Sequence, residues 1–170
     1  MRTGLLPALL LFVTVGVASA QPPESAPVES GTTLVEAGAG YTGFADDGMI
    51  HHSALGGTLR AHLTPRISVA AEVSYHVGPG QDRDVMLQGL AYLDFRRPRL
   101  GQVGRIEPYV LVGGGLMHHS TGYWSSAGPA VTWGGGTRVW VAERVYVTAD
   151  ARLGWPPHLR IVSSVGVLLR

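Results

Sequence analysis

The stretch RISVAAEVSYHVG, residues 66–78, alternates without a break. Ile67, Val69, Ala71, Val73, Tyr75 and Val77 fall on one face, and Arg66, Ser68, Ala70, Glu72, Ser74 and His76 fall on the other. A period of two means a β-strand with one apolar and one polar face. It does not say which face is enclosed. In a soluble barrel or sandwich the apolar face is the core and Glu72 meets water. In a membrane barrel the apolar face meets lipid and Glu72 is enclosed.

Outward from this stretch, the chain divides into eight alternating runs with no good helical period: 32–43, 50–63, 66–77, 84–96, 105–118, 129–142, 144–155 and 158–169. Between them lie ADDG (45–48), LTP (63–65), GPGQD (78–82), RPRLGQ (97–102), STGYWSSAG (120–128), AER (142–144) and WPP (155–157), all rich in turn formers. Regular short strands of this kind predict an all-β fold. An even number of roughly ten-residue alternating strands predicts an eight-stranded antiparallel up-and-down transmembrane β-barrel. Both ends of such a barrel domain fall on one side. The tight LTP and AER connectors are both even-numbered, which suits short periplasmic turns.

Glycine favours the membrane reading. Gly38, Gly40, Gly56, Gly113, Gly115, Gly134, Gly136 and Gly166 lie along the polar faces. Glycine offers a wet sheet face nothing to pack. Inside a narrow barrel it makes room for large neighbours. The opposite faces carry a valine- and leucine-rich band that includes Val69, Val73, Leu87, Val112, Val147 and Val165, with Tyr41, Phe95, Trp133 and Trp155 toward strand ends, where an aromatic girdle belongs.

The N-terminus agrees with export. Arg2, the apolar run Leu5 to Val17 and the Ala18-Ser19-Ala20 site read as a signal peptide over 1–20. Residues 21–31 read as a flexible Pro- and Ser-rich leader, and 32–170 as the barrel domain. No other segment reaches the ~20 apolar residues of a spanning helix. There is no cysteine, and the formal net charge of +1 with dispersed arginines leaves no nucleic-acid footprint.

EPYVLVGGGL (107–116) followed by WGGGTRVWVAERVYVTADARLGW (133–155) resembles strands of the small outer-membrane β-barrel family typified by OmpA-like and OmpX-like barrels. Pro108, Tyr109, Gly113, Gly115, Gly136, Arg138, Asp150 and Arg152 occupy the matching positions, and TPRISVAAEVSYHVG is similar to the family's third strand. The resemblance implies an integral outer-membrane protein with a structural, surface or interaction role. Its partners would be outer-membrane lipid and the outer-membrane assembly machinery, with no nucleic acid and a monomeric state. Family members usually end on an aromatic residue, whereas this chain ends SVGVLLR.

Two alternatives belong to other classes. His118-x-Ser120 is similar to the His-x-Ser pair of lipid A deacylase barrels, which would make the chain a lipid A-modifying hydrolase. The sole downstream glutamate is Glu143, in a turn expected at the opposite end, and a triad needs contact between its members. The other alternative is a soluble periplasmic lipocalin-like barrel, whose inward face would have to be apolar. The pairs His51-His52 and His118-His119 fall at one rim, and parity turns His52, His76 and His119 inward. Imidazoles there suit a transition metal, but no spacing matches a known ligand motif. The triplets Gly113–Gly115 and Gly134–Gly136 open no helix and are not phosphate loops. No catalytic, cofactor or metal set is therefore assigned.

Parity turns Arg60, Arg96, Arg138, Arg152 and Arg160 inward, with Glu36, Glu72, Asp94, Glu107 and Asp150. Enclosed charges must pair. The expected result is a packed lumen rather than a diffusion pore, with Arg138 diagonally near Asp150.

Overall fold

In the computed structural model the described residues are 31–45, 49–96 and 102–169. The expected signal peptide and residues 21–30 of the leader lie outside them. Eight strands follow in order: β1 (Thr33–Ala45), β2 (Met49–His62), β3 (Ile67–Val77), β4 (Arg83–Asp94), β5 (Ile106–Ser120), β6 (Ser125–Trp140), β7 (Val145–Trp155) and β8 (His158–Leu169). Each pairs antiparallel with the next, and β8 closes on β1, from Thr33 opposite Leu169 to Phe44 opposite His158. Closure leaves no sheet edge along the wall, as a hydrocarbon surround requires.

Burial follows the alternation. Along β3 exposed and buried residues strictly alternate, with Glu72 3% exposed and its neighbour Val73 52% exposed. Leu55, Leu87, Val112 and Val165 likewise face outward. So extensive an apolar exterior is far beyond what a soluble monomer exposes, and its natural surround is lipid. The inward face carries arginines, carboxylates and histidines, the reverse of a lipocalin-like barrel.

Some boundaries differ from the expectation. β6 begins at Ser125 rather than 129, so the β5–β6 connector is only residues 121–124. Ser126 and Gly128 read as loop residues, yet they pair with His119 and Met117. The pairing of β6 with β7 starts only at Val131 opposite Trp155, so this part of β6 projects with one neighbour. Glycine and proline are tolerated on such an edge. Because β6 begins early, Trp133 lies mid-strand rather than near its end. At the opposite end β4 stops at Asp94, which leaves Arg96 exposed in the connector instead of enclosed. That β4–β5 connector, residues 95–105, is the longest of the seven. It lies at the end where β1 starts and β8 finishes, so connector length alone does not mark the outer side.

The inward glycines serve two purposes. A Cβ on Gly166 would collide with Cζ of Tyr146, so this glycine makes room for a neighbour. At Gly134 and Gly136 the obstacle is the next strand, because a Cβ would lie 2.8 Å from the Cα of Arg152 and of Asp150. There glycine permits backbones to approach closely in a tightly coiled wall.

Candidate functional site

The lumen is filled in three levels. At the end where β1 starts and β8 finishes, Leu34, Trp140, Tyr146 and Leu168 form a buried apolar cluster. Above it lies the first charged group. Arg60 donates from Nη2 to Asp94 Oδ2 at 2.8 Å and from Nε to Ser68 Oγ at 2.6 Å, with its guanidinium 4.1 Å from the Tyr92 ring centroid. Arg138 is fully buried between Asp94 (3.7 Å) and Glu107 (3.6 Å) and faces the Tyr146 ring at 5.2 Å. Trp140 Nε1 donates to Glu107 at 3.2 Å, and Tyr146 Oη donates to Glu36 at 2.8 Å. Polar atoms on aromatic rings are thus partnered, as burial requires.

The middle level centres on Glu72. Its carboxylate accepts from Arg152 at 2.7 Å, Arg160 at 2.5 Å and Thr58 at 3.3 Å. Arg152 also holds Asp150 in a two-pronged contact at 2.7 and 3.0 Å, and Tyr109 Oη donates to Asp150 at 3.0 Å. The cavity left among Glu36, Glu72, Arg152 and Arg160 is ≈ 10 Å³, room for one water at most.

The third level is the mouth. His76 bridges Thr42 Oγ1 at 3.0 Å and Ser74 Oγ at 2.9 Å, and the Phe44 ring packs against His52, His76 and His158. Above them His52 Nε2 lies 3.0 Å from Asp82 Oδ2 and 3.2 Å from Asp84 Oδ2. His119 Nδ1 lies 2.7 Å from Asp84 Oδ1 and 3.5 Å from Asp82 Oδ1. These residues border a pocket of ≈ 340 Å³ with Trp124 and Met117. A larger hollow on the outer wall, over Ala37, Ala39, Ala149 and Ser163, has no charged residue in its lining.

Some expected positions hold and others change. Arg138 lies diagonal to Asp150 as expected, since Asp150 stands opposite Gly136 and Arg138 opposite Thr148, yet the two form no ion pair among the described residues. On its other side Arg138 stands opposite Glu107. Arg138 therefore takes the carboxylate directly across the β5–β6 pair, and Asp150 is taken by Arg152 on its own strand. Asp94 and Arg160, near strand ends, are 0% and 3% exposed and belong to the network. Of each histidine pair, His52 and His119 turn to the mouth. His51 turns outward against Tyr41 Oη, and His118 lies on the outer face. The structure does not bring His118, Ser120 and Glu143 together. Ser120 ends β5 beside the 121–124 connector, and Glu143 sits in the β6–β7 turn at the opposite end. The acids Asp82 and Asp84 join the mouth without having stood out in the sequence. Parity along β4, counted back from Leu90 and Gln88, reaches Asp84, and the GPGQD turn brings in Asp82 beside it.

No protein-family profile matches the chain, and no curated protein matches it in sequence. Solved structures do match in fold. Neisserial surface protein A superposes with a TM-score of 0.68 at 14% identity, over 79% of this chain and 96% of that one. The N-terminal β-barrel domain of Pseudomonas aeruginosa OprF gives 0.58 at 17% identity, over 82% and 98%. Ail, the attachment invasion locus protein of Yersinia pestis, gives 0.53 at 10% identity, over 82% and 99%. At these identities the likeness is one of fold: the eight-stranded outer-membrane barrel.

Proposed function

We propose that this protein is an integral outer-membrane β-barrel with a closed lumen, serving a structural, surface or interaction role rather than diffusion or catalysis. One observation carries the reading: the wall is apolar outside while its interior carries a buried ionic network that leaves only ≈ 10 Å³ of cavity around Glu72 at its middle level. Charged groups at this depth are stable only when paired, and a paired, packed lumen leaves no aqueous path. The chain's neighbours in fold include a surface protein and an attachment invasion locus protein, by their names. Outer-membrane lipid surrounds the wall in this reading. The assembly machinery inserts the barrel, and it works as a monomer with its His–Asp mouth outward.

The test combines membrane fractionation, a heat-modifiability gel and planar bilayers. The expected result is recovery in the outer-membrane fraction, a shifted unboiled band and no steady single-channel current. Recovery as a soluble periplasmic protein, or a large steady conductance, overturns it.

A further inference from the structure

We propose that His52, Asp82, Asp84 and His119 form a binding site for a single divalent transition-metal ion, of the zinc type, at the mouth of the barrel. Three strands and one turn supply the donors: His52 from β2, Asp82 from the β3–β4 turn, Asp84 from β4 and His119 from β5. Two imidazoles and two carboxylates are a borderline donor set suited to zinc and its neighbours rather than to calcium or magnesium, which prefer oxygen alone.

The spacing fits. Ligand atoms about 2.0–2.2 Å from a tetrahedral ion lie roughly 3.3–3.6 Å from one another. The four imidazole–carboxylate separations here are 2.7, 3.0, 3.2 and 3.5 Å, with His52 facing one oxygen of each carboxylate and His119 the other. One ligand atom each from His52, Asp82 and Asp84 lie within 4.8 Å of one another. An ion among these three is admitted by small outward shifts of their side chains, and His119 completes the set by turning toward the oxygens that His52 faces.

A second observation points to a ligand. The His52 ring is 3% exposed, yet neither of its nitrogens makes a hydrogen bond of proper geometry among the described residues. Asp82 Oδ1 is in the same condition. A buried imidazole held against two carboxylates without directional hydrogen bonds is what remains when the natural partner is a cation. Gly78 fits this picture. A Cβ there would collide with the His52 ring and lie 2.8 Å from Asp82 Oδ2, so this glycine makes the space in which the two meet. Access is provided by His119, whose side chain is 27% exposed and whose ring packs 5.8 Å from Trp124.

The experiment uses the full chain without an affinity tag, folded in detergent, stripped with a chelator and dialysed. Zinc chloride alone is titrated by calorimetry. The expected result is one ion per barrel with micromolar or tighter affinity. His119→Gln and Asp84→Asn should each weaken binding by more than about tenfold, the least that losing even an outer-shell partner does. The outward pair His51→Gln and His118→Gln should leave it unchanged. X-ray absorption of the loaded protein should show a mixed nitrogen and oxygen shell containing two imidazoles. Should Asp84→Asn fail to show the folded band on an unboiled gel, the rim variant His119→Gln decides. Absence of saturable binding in the micromolar range overturns the site. So does binding that survives His119→Gln but is lost with His51→Gln and His118→Gln.

Discussion

Glu72 offers the sharpest test of the enclosed network, because its two arginines are not equivalent. Glu72→Leu removes the acceptor shared by Arg152 and Arg160. Arg152 keeps both prongs on Asp150. Arg160 has Glu72 as its hydrogen-bonded partner among the described residues, and its Nε makes no hydrogen bond there. The single substitution therefore strands one buried guanidinium, at a cost of about 3–5 kcal/mol. Arg160→Met is milder: Glu72 retains Arg152 and Thr58, and the loss is one charged hydrogen bond, about 1.5–3 kcal/mol. Combining the two removes the stranded charge as well as its partner. The double variant should be no less stable than Glu72→Leu alone, with a coupling of about 1–3 kcal/mol. Urea unfolding in detergent or vesicles, followed by the fluorescence of the four tryptophans, measures all three. Costs that add to within about 0.5 kcal/mol would refute the claim that these groups act as one unit.

Val147 faces outward opposite Val139 and Val165, so Val147→Arg should cost about 2–4 kcal/mol in bilayers while Val147→Leu folds as the parent does; the unboiled gel band and a urea midpoint check both. Gly166→Ala drives a methyl into the Tyr146 ring and should cost roughly 1–3 kcal/mol by urea unfolding, and much less when introduced into a Tyr146→Ala background, where the space is already clear. Arg138→Met should destabilise through Asp94 and Glu107 and should show no coupling to Asp150→Asn in a double-mutant cycle.

How far the fold is legible in the sequence depends on the range of the interaction. Alternation is local, so RISVAAEVSYHVG by itself sets Glu72 and Val73 on opposite faces, and the same rule recovers all eight strands. The start of β6 is not legible, because Ser126 and Gly128 carry turn chemistry whereas the fold uses them on a projecting edge. Arg96 is misplaced for a related reason: parity can be counted past the residue at which the ladder ends. Arg138 points to the wrong partner when only the tight β6–β7 turn is considered. Its carboxylate lies across the other hairpin, whose register depends on a connector four residues long rather than nine. The mouth needs still more. His52 and Asp84 come from strands on either side of β3, so the curvature of the wall across three strands, not any one hairpin, brings them together.

The same distinction explains what the buried ions contribute to the fold. Glu72 on β3 meets Arg152 on β7, across the lumen, and Tyr109 on β5 meets Asp150 two strands away. These contacts form only when every intervening hairpin is in register. A slip of one residue in any strand reverses its faces, sending valines into the lumen and an arginine or carboxylate into lipid. Each misplaced arginine at mid-membrane costs about 2–4 kcal/mol, and each partner it abandons inside adds the cost of an unpaired buried charge. The apolar face alone penalises a slip through strand–lipid contact. The network penalises it a second time, through residues on the far wall, and so ties the registers of separate hairpins to one another.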